Sequence, residues 1–89
     1  MRLVILGRVQ RVGFRGFVQR EAKARGLTGR VRNRVDGAVE VVAEGPREEL
    51  ERLVVAARRG PDGARVDDVE VEWSEGPARH HDFRIDRSC

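Results

Sequence analysis

The sequence of 89 residues predicts an α+β fold, and three observations support this prediction. An apolar run at residues 3–6 precedes a stretch with helical spacing. The dipeptide Asp36-Gly37, which favours a β-hairpin, follows that stretch. A second stretch with helical spacing then precedes a segment that alternates apolar and acidic residues. Helices that flank a central hairpin are typical of one sheet with helices packed against it.

Length and composition are those of a single globular domain, which we expect to span residues 1–89. Hydrophobic residues make up 39% of the chain and charged residues 37%, which argues against a disordered protein. No window approaches the roughly 20 apolar residues of a membrane span, so we expect no membrane association. The short N-terminal apolar run is unlike a signal peptide, and the single cysteine, Cys89, can form no internal disulfide. Both features favour the cytoplasm.

The first strand and first helix are predicted from residues 3–6 and 14–25. Residues 3–6 are apolar without alternation, which indicates a strand placed centrally in the sheet. The buried face of the helix repeats at steps of three and four residues and comprises Phe14, Phe17, Val18 and Ala22. Gly26 is expected to end this helix in a left-handed conformation.

The central hairpin joins residues 28–34 to residues 38–44, and the length of its loop decides the register. A two-residue loop would mix three arginines with the apolar side chains of the second strand. A three-residue loop, residues 35–37, instead places Arg32 opposite Glu40 outside the core. The inner face then comprises Val31, Asn33, Val39, Val41 and Ala43. We therefore predict the three-residue loop, with a left-handed glycine at its end.

The second helix is predicted to begin with Pro46 at its first position and to end at Gly60. Acidic residues suit its first turn, because they complement the helix dipole. Its buried stripe comprises Leu50, Leu53, Val54 and Ala57.

Two further strands complete the prediction. Val69, Val71 and Trp73 alternate with acidic residues and indicate a half-buried strand, and we expect Val66, which is out of step, to precede it. Residues 83–85 are expected to form a short edge strand. The result is a ferredoxin-like βαββαβ sandwich, with two helices on one face of a mostly antiparallel sheet and a short extra C-terminal strand.

The distribution of charge points to anion binding near the N-terminus. Residues 1–34 contain ten basic residues and one acidic residue, a net charge of +9, whereas residues 35–89 contain eight and fourteen, a net charge of −6. Arginines cluster in residues 7–15, which join the first strand to the first helix. No Ser, Thr, Asp or Asn caps this helix, so its first amides lack side-chain partners. We interpret the stretch as an anion-binding loop.

Several classes of catalytic site are disfavoured by the residues available. Hydroxyl and thiol side chains lie far from the loop in the sequence and no histidine is near it, so no nucleophile–base pair is predicted. His80 and His81 are interpreted as surface residues, because adjacent side chains diverge, and we predict no metal site. The loop matches neither the Walker pattern nor the dinucleotide fingerprint.

The remaining inventory suits an activated phosphate. The crossover through the first helix makes the first two strands parallel, so Asn33 and the loop share one edge of the sheet. Amides, Arg15 and one side-chain amide could promote phosphoryl transfer by positioning and charge alone, provided that the leaving group is already good. An acyl phosphate has such a leaving group.

Two stretches, residues 7–15 (GRVQRVGFR) and 29–40 (GRVRNRVDGAVE), resemble the two signatures of the acylphosphatase family. The resemblance spans almost the whole chain. It implies hydrolysis of acyl phosphates to carboxylate and inorganic phosphate without metal or cofactor. Arg15 matches the family's phosphate-binding arginine, and Asn33 matches the asparagine that orients the attacking water. We expect the other substrate contacts, chiefly through backbone amides, from Val9, Gln10, Arg11, Val12, Gly13 and Phe14.

Two residues depart from the family pattern. Arg11 stands where the family usually has glycine, and Arg30 stands where it usually has tryptophan or another large apolar residue. Glycine permits a positive φ, so Arg11 either adopts an ordinary conformation or strains the loop by roughly 1 to 3 kcal/mol.

Two other functions stay open. One is a nucleic-acid-binding module, because RNA-recognition domains share this sandwich. The first strand and the central hairpin carry no aromatic residue on which a base could stack, which disfavours this function. The other is a partner that holds an acyl or carbamoyl phosphate for a larger enzyme. Since the sequence stops at Cys89 with no catalytic partner attached, we expect an independent, monomeric enzyme.

Overall fold

The computed structural model describes residues 1–87, so the expectations for Cys89 lie outside the described residues. This part of the chain forms five strands and two helices, in the predicted order. They are β1 (Arg2–Arg8), α1 (Phe14–Ala24), β2 (Thr28–Asn33), β3 (Val39–Glu44), α2 (Arg47–Arg59), β4 (Arg65–Glu72) and β5 (Phe83–Ile85).

The strands form one sheet in the order β4-β1-β3-β2-β5. All neighbouring pairs are antiparallel except β2 and β5, which are parallel. β1 and β2 run in the same direction with β3 between them, as the crossover through α1 requires. Apolar residues of both helices join those of the strands in one core, which places α1 and α2 on the same face. The predicted ferredoxin-like sandwich is confirmed.

The core lies between the helices and the inner face of the sheet. Phe14 and Val18 of α1 and Leu53 of α2 pack against Leu3 and Ile5 of β1, and each of these side chains is at most 2% exposed. Burying each large apolar side chain contributes about 1.5 to 3 kcal/mol. Leu3 and Ile5 face the helices, whereas Val4 lies outside this core cluster and is still only 5% exposed in the central strand β1, which is paired on both edges.

The hairpin has the predicted three-residue loop. The amide of Arg34 donates to the carbonyl of Ala38 at 2.8 Å, and the amide of Gly37 donates back to the carbonyl of Arg34 at 3.2 Å. Gly37 has a φ of 95°, the left-handed region that glycine adopts at little cost. This register sets Asn33 opposite Val39 at the end of β2.

The prediction that Val66 precedes the fourth strand is wrong, because Val66 lies inside β4. The pairing of β4 with β1 shifts between Leu6 and Gly7 and leaves Asp67 without a partner, which is a β-bulge. The bulge changes the face on which side chains point and brings Val66 against the core. Gly7 is required here, since a Cβ would collide with the carbonyl oxygen of Arg65.

Two other details of the prediction are corrected at element ends. β4 ends at Glu72, so Trp73 lies beyond the strand. The Trp73 side chain is 38% exposed, and the guanidinium carbon of Arg47 lies 3.7 Å from its ring centroid. Pro46 has an extended ψ of 138° and caps α2 from outside, so the helix begins one residue later. Gly60, with a φ of 69°, ends α2 as predicted.

Glu44 anchors the segment that leads to β5. Its carboxylate accepts hydrogen bonds from the backbone amides of Arg79 at 3.0 Å and of His80 at 2.9 Å. Burial raises the pKa of Glu44, but these bonds to His80 and Arg79 outweigh burial and hold the pKa below its ordinary value. The anchored segment allows β5 to pair with β2, where Ile85 lies opposite Val31. The predicted extra strand is confirmed.

Candidate active site

The connection between β1 and α1 contains two left-handed residues. Arg11 has a φ of 64° and is the one non-glycine residue between positions 1 and 87 with a positive φ. Gly13, with a φ of 77°, is the N-cap of α1 and provides no side chain to cap it. Chain segments that include left-handed residues are typical of concave groups of amides that bind anions.

The amides of this connection are available to a ligand. Among the residues described, the backbone amides of residues 10–16 donate to no protein acceptor, and the first bond of the helix runs from Phe17 to the carbonyl of Gly13 at 3.0 Å. The first turn of α1 contains no acidic residue. Unpaired amides at the positive end of a helix dipole favour an anion.

Arg15 lies in the first turn of α1 and is half-buried. Together with Arg11, Gly13, Phe14, Gly16 and Ile85, it lines a shallow surface depression. Neither arginine forms an ion pair with another residue of the described chain. Their guanidinium groups are thus free to bind a phosphate, for which the planar fork of arginine is well suited.

Gln10 connects the loop to the hairpin through its side chain. Its Nε2 atom donates to the carbonyl of Arg34 at 2.8 Å and to that of Ala38 at 2.9 Å, the two residues that close the hairpin loop. The local sequence predicts Gln10 only as a substrate contact and gives no sign of these two bonds, because their acceptors are more than twenty residues away. The backbone amide of Gln10 remains without an acceptor within residues 1–87.

Asn33 is the last residue of β2 and is half-buried. It precedes Arg34, whose carbonyl accepts from Gln10, so Asn33 lies at the same end of the sheet as the loop. Its side chain forms no hydrogen bond with the rest of residues 1–87. Asn33 does not line the depression that contains Arg15, so the two predicted catalytic residues lie at the same end of the sheet but not in one depression.

The apolar residues of the loop point into the protein. The side chains of Val9 and Phe14 are 1% and 2% exposed, and Val12 is partly buried against the core. Phe14 also packs edge-on against Phe17, with ring centroids 5.9 Å apart. Val9 and Val12 therefore offer a ligand only their backbone, and their side chains hold the loop against the core.

Two residues of the depression, Gly16 and Ile85, were not predicted. Ile85 comes from β5, far away in the sequence, and reaches the loop because β5 pairs with β2. Its side chain is 42% exposed and forms an apolar wall. Arg30, the second departure from the family pattern, lies 3.8 Å from Asp86 and takes no part in the depression.

Neither histidine interpreted as a surface residue reaches this end of the sheet. His81 is exposed, and His80 is half-buried beside Glu44. Within residues 1–87, no three His, Cys, Asp or Glu side chains are grouped so as to hold a metal ion. In the same range, neither helix has the length and apolarity of a membrane span.

Comparisons with known proteins show which family this chain is similar to. The family model described as Acylphosphatase matches residues 1–85. The acylphosphatase of Koribacter versatilis is 51% identical over 85 residues, covering 96% of this chain and 77% of that protein. The crystal structure of acylphosphatase from Bacillus subtilis is 48% identical, with a TM-score of 0.91 and coverage of 94% of this chain and 93% of that one. HypF from T. kodakarensis is 32% identical with a TM-score of 0.84, covering all of this chain and 12% of that chain. On these matches, the chain belongs to the acylphosphatase family.

Proposed function

We propose that this protein hydrolyses the carboxyl–phosphate bond of acyl phosphates, and that residues 10–16 and Arg15 bind the phosphoryl group. The match to the acylphosphatase family over residues 1–85 supports the reaction. One structural observation carries the assignment of roles. The unpaired amides of residues 10–16, the positive end of the α1 dipole and the unpaired guanidinium of Arg15 all belong to one short segment.

In this proposal the loop stabilises the charge of the reaction. Phosphoryl transfer passes through a loose transition state with negative charge spread over the phosphoryl oxygens. Amides and a guanidinium that are already in place stabilise this charge without reorganising. The carboxylate of an acyl phosphate is a good leaving group, so positioning and charge supply most of what the reaction needs.

Asn33 orients the attacking water. Its side-chain oxygen accepts a hydrogen bond from the water, whose oxygen forms a bond to phosphorus while the bond between phosphorus and the carboxyl oxygen breaks. The water proton passes to the phosphate, and the products are a carboxylate and inorganic phosphate. Two observations support this role. Asn33 precedes Arg34, whose carbonyl accepts the hydrogen bond from the Gln10 side chain, and the Asn33 side chain has no protein partner within residues 1–87.

Hydrolysis of benzoyl phosphate by single variants tests the proposal. Arg15→Ala should lower kcat/KM by about 100-fold or more, equivalent to about 3 kcal/mol of transition-state stabilisation. Lys23→Ala is the control, because Lys23 is an exposed basic residue in the last turn of the same helix, outside the depression. Asn33→Ala should lower kcat while the affinity for inorganic phosphate is retained, whereas Arg15→Ala should weaken that affinity.

Near-normal turnover by a folded Arg15→Ala variant would contradict the phosphate-binding role. Equal losses of phosphate affinity in the Arg15 and Asn33 variants would contradict the division of roles between them.

A second candidate function is to hold an acyl or carbamoyl phosphate for a larger enzyme. The observation that favours it is the likeness to HypF, in which the matched region makes up 12% of the chain. Multiple turnovers of benzoyl phosphate by the isolated chain favour the independent enzyme. Binding without turnover would favour the partner role.

The proposal also includes a monomer that works in the cytoplasm. The large hydrophobic side chains exposed within residues 1–87 belong to four different parts of the fold, which favours a monomer. They are Val35 in the hairpin loop, Val55 in α2, Trp73 after β4 and Ile85 in β5. Sedimentation velocity tests the monomer, and cell fractionation tests the location.

A further inference from the structure

The backbone of Arg11 is held in a conformation that disfavours its own side chain. Its φ of 64° lies in the left-handed region, where a Cβ approaches the neighbouring carbonyl. Sparsely populated conformations of this kind cluster at ligand-binding sites, where the surrounding structure maintains them. The backbone amide and the side chain of Arg11 can therefore have different functions in ligand binding.

The side chain of Arg11 is a free cation at the depression. It is exposed, it lines the same depression as Arg15, and within residues 1–87 it has no carboxylate partner. No acidic residue lines this depression. Two arginines therefore line one depression that has no carboxylate among its lining residues, which favours a negatively charged ligand.

A bound phosphoryl group needs only one of these two arginines as an ion-pair partner. The amides of residues 10–16 and Arg15 are enough to surround a phosphate dianion, as other helix N-termini do. Arg11 is the additional charge. Ile85, which is 42% exposed, lines the same depression and offers an apolar surface to the body of an acyl group.

We infer that Arg11 gives this enzyme a preference for acyl phosphates whose acyl group carries a second negative charge. The inference rests on the proposed function and adds the class of substrate. The phosphoryl group binds to the amides and Arg15, the stem of the acyl group lies against Ile85, and its anionic end pairs with Arg11. Since Arg11 is exposed, the pair is screened by salt.

Three aromatic acyl phosphates test the inference. Benzoyl phosphate is uncharged beyond its phosphate, and its para-carboxy and meta-carboxy derivatives add one carboxylate at two positions on the same ring. For the wild-type protein, kcat/KM should be about fivefold to tenfold higher for at least one carboxy derivative than for benzoyl phosphate. This ratio should fall at high ionic strength.

Variants at position 11 separate charge from backbone. Arg11→Gln removes the charge and keeps the Cβ, and Arg11→Gly removes both, so both should bring the ratio close to one. Arg11→Lys should retain most of the preference. Lys23→Gln, which removes a charge in the last turn of α1, should leave the ratio as in the wild-type protein.

Equal kcat/KM values for benzoyl phosphate and both carboxy derivatives would overturn the inference while leaving the proposed function in place. So would a ratio that stays the same in Arg11→Gln. If the unchanged chain hydrolysed none of the three compounds, the proposed function would be contradicted and the inference with it.

Discussion

At the scale of single residues, Arg11 combines an unfavourable backbone with a place in the candidate site. A residue with a Cβ in the left-handed region is about 1 to 2 kcal/mol less favourable than in the right-handed one, whereas glycine accepts either. Arg11→Gly should therefore raise the free energy of unfolding by about 1 kcal/mol. Thermal or urea denaturation measures this change.

Arg11→Ala is the control for this stability prediction. It removes the same guanidinium but keeps the Cβ at a φ of 64°, so it should not share the gain. If the glycine and alanine variants were equally stable, the backbone of Arg11 would not be strained.

Glu40 is a second residue whose substitution should change the free energy of unfolding measurably. It is 6% exposed, and its carboxylate accepts hydrogen bonds from Nε of Arg2 at 2.8 Å and from Nε of Arg32 at 2.6 Å. Burial raises the pKa of Glu40, but the two arginines outweigh burial and lower the pKa below its ordinary value of 4.5. The ionised carboxylate therefore stabilises the folded state above that pH, and this stabilisation is lost as the pH falls through the lowered pKa.

Glu40→Gln should lower the free energy of unfolding by about 1 to 2 kcal/mol at neutral pH. The difference from the unchanged chain should shrink as the pH falls below the ordinary pKa, as denaturation at a series of pH values would show. Glu51→Gln is the control, because the pair of Glu51 with Arg47 is exposed and should contribute little. A difference that stays constant down to acid pH would contradict the ionic role of Glu40.

Sequence alone predicts the local part of the candidate site and, through the parallel direction of the first two strands, the place of Asn33 at the same sheet edge. The uncapped start of α1 and the place of Arg15 in its first turn follow from neighbouring residues, without knowledge of the rest of the chain. Ile85 and the hydrogen bonds of Gln10 depend on residues that only the folded sheet brings near. The positive φ of Arg11 was left open between two conformations, because intrinsic preference disfavours it and only the surrounding loop decides it.

At the scale of elements, the candidate site depends on how the β1–α1 connection is joined to the hairpin. The side chain of Gln10 makes this connection through the carbonyls of Arg34 and Ala38. Gln10→Leu should lower the free energy of unfolding by about 1 to 2 kcal/mol and also lower kcat, because Asn33 and the loop lose their alignment.

Gln19→Leu is the matched control for the Gln10 variant. Gln19 also donates from its side chain to a backbone carbonyl, that of Phe83 at 3.0 Å. The Gln19→Leu variant should lose a similar amount of free energy of unfolding, while its kcat stays close to that of the wild-type protein. Parallel losses of kcat in both variants would show that general destabilisation, rather than alignment, explains the effect.

The elements themselves were predictable where one face of the pattern is clearly apolar. The hairpin register followed from separating Arg32 and Glu40 from the core, and the structure has the same pairing. Val66 and Trp73 were misplaced because a β-bulge and the end of a strand depend on the partner strand, not on alternation. The bulge arises where Gly7 of β1 approaches β4, and no local pattern around Val66 indicates it.

At the scale of the whole molecule, the positive charge is concentrated in the part of the chain that contains the candidate anion site. The net charge of +9 in residues 1–34 contrasts with −6 in residues 35–89. The two helix N-termini differ in the same way. The first turn of α1 contains Arg15 and no acid, whereas that of α2 contains Glu48 and Glu49. An anion should therefore bind at α1 and not at α2.

Titration of the uniformly ¹⁵N-labelled protein with inorganic phosphate, followed by amide chemical shifts, tests the central claim most directly. We predict saturable shifts at the amides of residues 10–16 and a smaller response at Asn33. The amides of residues 47–49, at the start of α2, should serve as an internal control and stay unchanged. In Arg15→Ala the same shifts should need much more phosphate to saturate. Shifts that are absent from residues 10–16, or equal at both helix starts, would contradict the account.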